Sequence, residues 1–190
     1  MPDHVQVDVD FVPVIEFSHP QWPPKHVRKL PDSLTAKKTK WFIVPKPKKK
    51  QNGDDNHTIW RLAFHEQERE MINDKGILKP VCRMLKKFRD EQNLNIASYY
   101  LKTLFLWEID SNPNIEFWRG RQIDMFLHML EKLAERLKNG SIPYYWDSRY
   151  NLLDGLDKQN KENLANRLIN VIADIKRRIP EEPHIVAKYL

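Results

Sequence analysis

Three short runs carry the side chains that could do chemistry. They are Asp8-Val9-Asp10, then Trp60-Arg61-Leu62-Ala63-Phe64 running on to Glu68-Arg69-Glu70, and Ala97-Ser98-Tyr99-Tyr100-Leu101-Lys102-Thr103. Side chains alternate along a strand, so Gln6, Asp8, Asp10 and Val12 share one face of Val5–Val14 while Val7 and Val9 share the other. Two carboxylates on one face either share a divalent metal, which favours hard oxygen ligands, or are solvated acids on an edge strand. The planar guanidinium of Arg61 suits bidentate recognition of a guanine edge or a phosphate, or makes a surface ion pair. Ser98, near a helix N-terminus, offers a hydroxyl where free backbone N–H groups also favour phosphate. Tyr99 can stack on a base or fill a core, and Lys102, about one turn on, adds charge on the same face. Lys86 and Lys87 share a helix with Cys82 and Leu85, as phosphate-holding ammonium groups or as a basic helix face.

The elements that must position these groups are legible from spacing. Val5 to Phe17 reads as strand from its β-branched residues, and Pro20, Pro23 and Pro24 mark a loop. Trp41-Phe42-Ile43-Val44-Pro45 is a second short strand. Asn52-Gly53 has the turn chemistry of a hairpin that returns through Ile59 to Phe64. After Phe64 the pattern becomes helical. Ile77, Val81, Leu85 and Phe88 recur at spacings of three and four, as do Tyr100, Leu104 and Trp107. Ile123, Phe126, Leu127, Leu130, Leu133, Ala134 and Leu137 form the clearest stripe, stopped by Asn139-Gly140. A last helix carries Leu164, Leu168, Val171, Ile172, Ile175 and Ile179 and ends before Pro180. The expected class is α+β: a partial sheet with a basic loop over 1–72, then a helical lobe over 73–190.

Composition bounds the function. A hydrophobic content of 41% over 190 residues is that of a folded globular chain. No stretch reaches the roughly 18 apolar residues that span a bilayer, so no membrane partner is expected. Pro2, Asp3 and His4 open no secretion signal, which makes the cytoplasm the expected location, with the nucleus as the other. The single cysteine, Cys82, excludes an internal disulfide and a cysteine-rich zinc site. The net charge of +6 is unevenly placed: Lys25 to Lys50 holds ten Lys or Arg against one acid, or +9, leaving −3 on the remainder. Such a segment could track phosphates, with steeply salt-dependent binding, or be a solvated loop.

Taken in order, these runs resemble the cyclic GMP–AMP synthase-like receptors of the Mab-twenty-one (male-abnormal) family of nucleotidyltransferase folds. Asp10-Phe11-Val12-Pro13-Val14 fits the strand that carries that family's third metal carboxylate, and Asp8 falls outside the frame. The likeness runs from about Val5 to Leu156. It includes Phe42-Ile43-Val44-Pro45-Lys46, Ile142-Pro143-Tyr144-Tyr145 and Asn151-Leu152-Leu153. It implies a nucleotidyltransferase-fold mixed sheet followed by a helical, HhH-like lobe.

The same resemblance implies roles. Asp10 would be the catalytic carboxylate and ligate Mg²⁺ or Mn²⁺. Arg61 would read a base, with Glu68 near the nucleotides. Lys87 would hold triphosphate oxygens, and Ser98, Tyr99 and Lys102 would bind phosphate and a purine. His65, counted with the nucleotide-binding residues, and Ala63 stand where the vertebrate enzyme has serines, so the resemblance does not fix which base is preferred. The substrates would be ATP and GTP, and the product a cyclic dinucleotide. Two-metal transfer needs several carboxylates to hold two cations about 3.5–4 Å apart. The family's other two acids, and its Gly-Ser turn, have no counterpart in the nine residues before Asp10, so this chain is expected to be inactive by itself. Asn73–Pro80 contains no His or Cys where vertebrate DNA sensors insert a zinc module, so no zinc is expected. That points to the invertebrate receptors and to double-stranded RNA lying against Lys37, Lys38 and Lys40, recognised by phosphate spacing and 2′-hydroxyls. The competing readings are a non-catalytic scaffold of the same family, acting in signalling or development, and a simple basic nucleic-acid-binding module.

Overall fold

The computed structural model describes residues 12–18, 21, 27–29, 40–46 and 59–190. Within these the chain is α+β and forms two compact units, one of residues 1–24 and 29–67, the other of residues 25–28 and 68–190.

The first unit holds a three-stranded antiparallel sheet in the order β1 (Ile15–Ser18), β2 (Lys40–Lys46), β3 (Ile59–Ala63). Phe17 pairs with Trp41 across β1 and β2, and Phe42 with Ala63 across β2 and β3. The Phe17 and Trp41 rings stack at 4.2 Å, the Phe64 ring is stacked with Trp41 at 6.3 Å, and the indole N–H of Trp41 donates to the Gln21 carbonyl at 2.6 Å. Directly opposed aromatic pairs of this kind fix sheet register. The strand expected over Val5–Phe17 is corrected in its described part. Among the described residues, strand pairing covers Ile15–Ser18, and Val12 and Val14 stand exposed on either side of Pro13. A proline has no N–H to give to a ladder, so pairing starts after it.

β3 passes directly into α1 (His65–Asn73). The first turn of α1 seals the start of β2. The Gln67 amide donates to the Lys40 carbonyl at 2.9 Å, and the Lys40 N–H donates to Glu66 at 3.1 Å.

The second unit is helical. α2 (Leu78–Glu91) buries Leu78, Val81, Leu85 and Phe88, which is the expected stripe with Leu78 in place of Ile77. α3 (Ser98–Ser111) buries residues on nearly every side, from Leu101 through Leu104, Phe105 and Leu106 to Ile109. A helix apolar all round belongs inside a bundle rather than on its surface. α4 (Gln122–Lys138) packs against α2, α3 and α5 (Lys158–Arg178), with Phe88 and Phe126 edge to face at 5.9 Å. Gly140 ends α4 in the left-handed region at φ 71°, where the Gly140 N–H reaches the Leu137 carbonyl and the Ser141 N–H reaches that of Arg136. This paired closure requires a residue without a β-carbon penalty, hence glycine. At the other end of the chain's last long helix, the Asp157 side chain caps α5 by accepting from the Asn160 N–H.

Phe126 is wholly buried at the crossing of α2 and α4. Phe126→Ala is expected to lower unfolding free energy by about 3–5 kcal/mol, read as a lower urea midpoint at unchanged slope.

Two short 3₁₀ turns, Ile115–Arg119 and Ile185–Tyr189, are too brief for a periodic signal. The first sets the fully buried Trp118, whose indole N–H donates to the Asn112 carbonyl. The second is latched to α5: the Tyr189 hydroxyl donates to Asp174 at 2.6 Å, and Arg178 pairs with both Asp174 and Glu182. The Tyr189 hydrogen bond, then that of Arg177, pulls the Asp174 carboxyl from 3.8 down to about 2. A carboxyl whose folded pKa is depressed contributes stability above its unfolded value and loses it as pH falls towards the folded one. Amide protection over Ile185–Tyr189 should therefore hold at pH 5 and fall away between about pH 4 and 2. Tyr189→Phe should move that loss to higher pH.

Part of the basic segment belongs to this unit. The Arg28 guanidinium lies over the Trp107 ring at 4.5 Å and the Tyr145 ring at 4.7 Å, and it pairs with Asp110. Arg28 is thus committed to packing rather than open to a phosphate chain.

Candidate functional site: a basic groove in the helical unit

Helix spacing brings cations to one surface. Lys79, Cys82, Arg83 and Lys86 recur at three, four and seven residues along α2 and so share a face. Arg69 and Ile72 come from the end of α1, and Ser98, Tyr99, Lys102 and Phe105 from the first two turns of α3. Together with Leu78 they line an open groove of about 600 Å³. Ile72, Leu78 and Phe105 supply its apolar surface. Of the eleven lining residues five are cationic (Arg69, Lys79, Arg83, Lys86 and Lys102), and none is acidic.

Among the described residues, only Lys102 of these five meets an acid. It pairs with Glu68, whose side chain is 3% exposed. No acid among the described residues pairs with Arg69, Lys79, Arg83 or Lys86. Like charges gathered without counterions repel one another, so the groove is built to gain from an anion with several charges.

Glu68 organises the groove from behind. Its Oε1 accepts the Tyr99 hydroxyl at 2.9 Å and the Trp146 indole N–H at 2.9 Å, while its Oε2 takes the Lys102 ammonium. Burial, then Tyr144, then the Glu68 carboxyl push the Tyr99 hydroxyl far above the usual phenol range, so Tyr99 stays a neutral donor. Its ring is tilted against Tyr144 at 6.1 Å, and the residue lines the groove. The Ser98 oxygen accepts from Arg89 at 2.6 Å, and no acceptor among the described residues takes its own hydrogen. Burial raises the Cys82 thiol, against the pull of Lys86 and Lys102, which makes it a protonated wall rather than a nucleophile.

Of the site residues expected from sequence, the structure gathers Glu68, Ser98, Tyr99 and Lys102 at this groove or directly behind it. Lys87 is exposed on α2 but does not line the groove; its neighbour Lys86 does. One residue along a helix is a rotation of about 100°, enough to change the face. Arg61 lies exposed on β3, with Val44 opposite it in the sheet, and His65 opens α1 with its ring 5.9 Å from Phe42; both belong to the sheet unit. Lys40 pairs with Glu16 at 2.8 Å, a contact that raises the lysine's pKa. Asp10, Lys37 and Lys38 lie outside the described residues. No group of three or more His, Cys, Asp or Glu that could hold a metal converges among the described residues.

Sequence reasoning passed over Arg69, Lys79 and Trp146. The Lys79–Arg83–Lys86 spacing was a signal for a shared basic face. Trp146, 78 residues from Glu68, had none. Among the described residues no helix is long and apolar enough to cross a membrane.

Comparison with known proteins agrees with this architecture. Residues 2–74 match the Mab-21 protein nucleotidyltransferase domain, and residues 77–170 match the Mab-21 protein HhH/H2TH-like domain. A cyclic GMP-AMP synthase-like receptor of Aethina tumida is 37% identical over 191 residues, covering 100% of this chain and 46% of that protein. Receptors of the same name from Ctenocephalides felis and Tribolium castaneum are each 37% identical, over 98% and 97% of this chain and 43% and 44% of their own lengths. The chain thus spans a little under half the length of the curated relatives it matches. With both domain matches in chain order and the sheet and helical units in the structure, the chain belongs to the Mab-21 family of nucleotidyltransferase-fold proteins and is similar to its insect cyclic GMP-AMP synthase-like receptors.

Proposed function

We propose that this chain supplies the nucleotide-holding part of a nucleotidyltransferase that joins ATP and GTP into a cyclic dinucleotide. The observation that carries this reading is the groove: four cations without a carboxylate partner among the described residues, beside a neutral tyrosine and a serine with a hydrogen to donate. Such a surface suits a purine polyphosphate better than a single phosphate, because one phosphate leaves most of the charge unmatched. Lys86, Arg83 and Lys102 would take phosphate oxygens, Ser98 would donate to one, and Tyr99 would meet the base with its ring. Arg61, on the sheet unit, is assigned to base recognition by the resemblance alone. Mg²⁺ or Mn²⁺ would be held by Asp10 with the further carboxylates that a two-metal site requires. The names of the relatives support the product class, and the domain match supports the reaction class.

The test is twofold. Calorimetry on the 190-residue chain with ATP and Mg²⁺ should show binding that weakens as salt rises. Incubation of the same chain with ATP, GTP, Mg²⁺ and duplex RNA should yield no dinucleotide, since Asp10 alone cannot seat two cations. Product from this chain would refute the assignment of a lone metal carboxylate, and absence of any ATP binding would refute the groove reading. Duplex RNA is the activating partner in this reading, held along the Lys25–Lys50 segment. Its affinity should fall steeply and linearly in log salt, and Lys37→Glu with Lys38→Glu should flatten that slope by about two phosphates' worth of counterions.

A further inference from the structure

The wholly buried Trp146 lies behind the groove, not in it, and no contact with a nucleotide is open to it. Its indole N–H nevertheless ends on Glu68, the carboxyl that takes Lys102. We propose that Trp146 is a positioning residue for polyphosphate binding: through Glu68 it holds the Lys102 ammonium in the groove before a ligand arrives. The inference rests on the polyphosphate reading of the groove and adds a residue to it.

The last torsion of a glutamate is soft and roughly two-fold, so packing alone does not choose which oxygen faces which way. Here Oε1 receives two donors, the Tyr99 hydroxyl and the Trp146 indole N–H, both at 2.9 Å, and the indole N–H has a direction fixed by its ring. That leaves Oε2 directed at Lys102. An indole N–H only donates, and a side chain with no exposed surface cannot turn to find water, so the Trp146 contact is a rigid constraint. The ammonium of Lys102 has three hydrogens. One meets Glu68, and the remainder are available on the half-exposed side that lines the groove. Lysine carries one of the larger side-chain entropies, so fixing it in advance removes part of the cost of binding.

The experiment compares the intact chain with Trp146→Phe, Lys102→Met and the double variant, titrated with inorganic tripolyphosphate by calorimetry. Trp146→Phe keeps an aromatic ring and removes the donor. It is expected to weaken tripolyphosphate about fivefold. In the Lys102→Met background the same change should alter affinity by less than about twofold, because the group it positions is gone. A role in packing alone would show the same loss in both backgrounds, or none in either, and both results overturn the inference. If Trp146→Phe loses its near-ultraviolet dichroism, Glu68→Gln serves instead. It keeps an oxygen for the indole but turns an amide towards Lys102, and it should match the Lys102→Met affinity within about twofold. Glu68→Gln that binds as the unsubstituted chain does overturns the inference. If the unsubstituted chain fails to bind tripolyphosphate, the groove reading falls with it. If Lys102→Met weakens binding and Trp146→Phe does not, only the positioning role falls.

Discussion

Glu68→Ala should lower the unfolding free energy of the helical unit by roughly 3–5 kcal/mol, a large part of the stability of an ordinary domain. Three groups converge on this one side chain from two separate stretches: Tyr99 and Lys102 from α3 and Trp146 from the loop after α4. Alanine removes the Glu68 acceptor from the buried Trp146 N–H and the part-buried Tyr99 O–H, at about 1–3 kcal/mol each. Lys102 is partly exposed and can turn to water, so its share is small. Glu68→Gln keeps one acceptor oxygen and should cost clearly less than alanine. The measurement is urea unfolding followed by tryptophan fluorescence. Equal losses for alanine and glutamine would show that charge, not hydrogen bonding, holds this cluster together.

Reversing Arg83 and Lys86 together to glutamate should weaken ATP binding by roughly a hundredfold in low salt, while leaving the thermal midpoint nearly unchanged. Both side chains are exposed on α2, and no carboxylate among the described residues pairs with either, so the fold loses no ion pair when they go. Relief of repulsion among the five groove cations could even raise the midpoint by a degree or so. The effect on binding should shrink in high salt, where the Debye length drops to about 3 Å at 1 M. Lys87→Glu is the internal control. It makes half that change in net charge on the same helix but stands off the groove, and should weaken ATP by no more than a few fold, less than the single Lys86→Glu. A larger effect from Lys87→Glu than from Lys86→Glu would return the phosphate-holding role to the residue that the family resemblance assigns.

That contrast between Lys86 and Lys87 shows where sequence reading reaches its limit. The apolar stripes place the helices because burial repeats every three or four residues, and so α2, α4 and α5 stand close to their expected bounds. The Asn139-Gly140 stop was equally legible, since a left-handed cap strongly favours glycine. Charged residues have no such periodic rule. Whether Lys86 or Lys87 meets the groove depends on how α2 is rotated against α1 and α3, and only the packed core sets that rotation. Tyr99 shows the same limit from the other side. Its motif suggested base stacking, while the Glu68 hydrogen bond turns its hydroxyl away from the groove that the residue also lines.

By itself the sequence determined the α+β order of elements, the helical lobe and its stripes, and the family, because each rests on local patterns or on runs of adjacent residues. Tertiary structure alone decided that Glu68 is a buried hub, that Arg28 is spent on Trp107, Tyr145 and Asp110, and that Trp146 reaches back across 78 residues to the groove. The physical reason is that hydrogen bonds and ion pairs are short-ranged and directional. Which groups come within 3 Å is settled by how whole helices pack, and chain spacing carries no record of that.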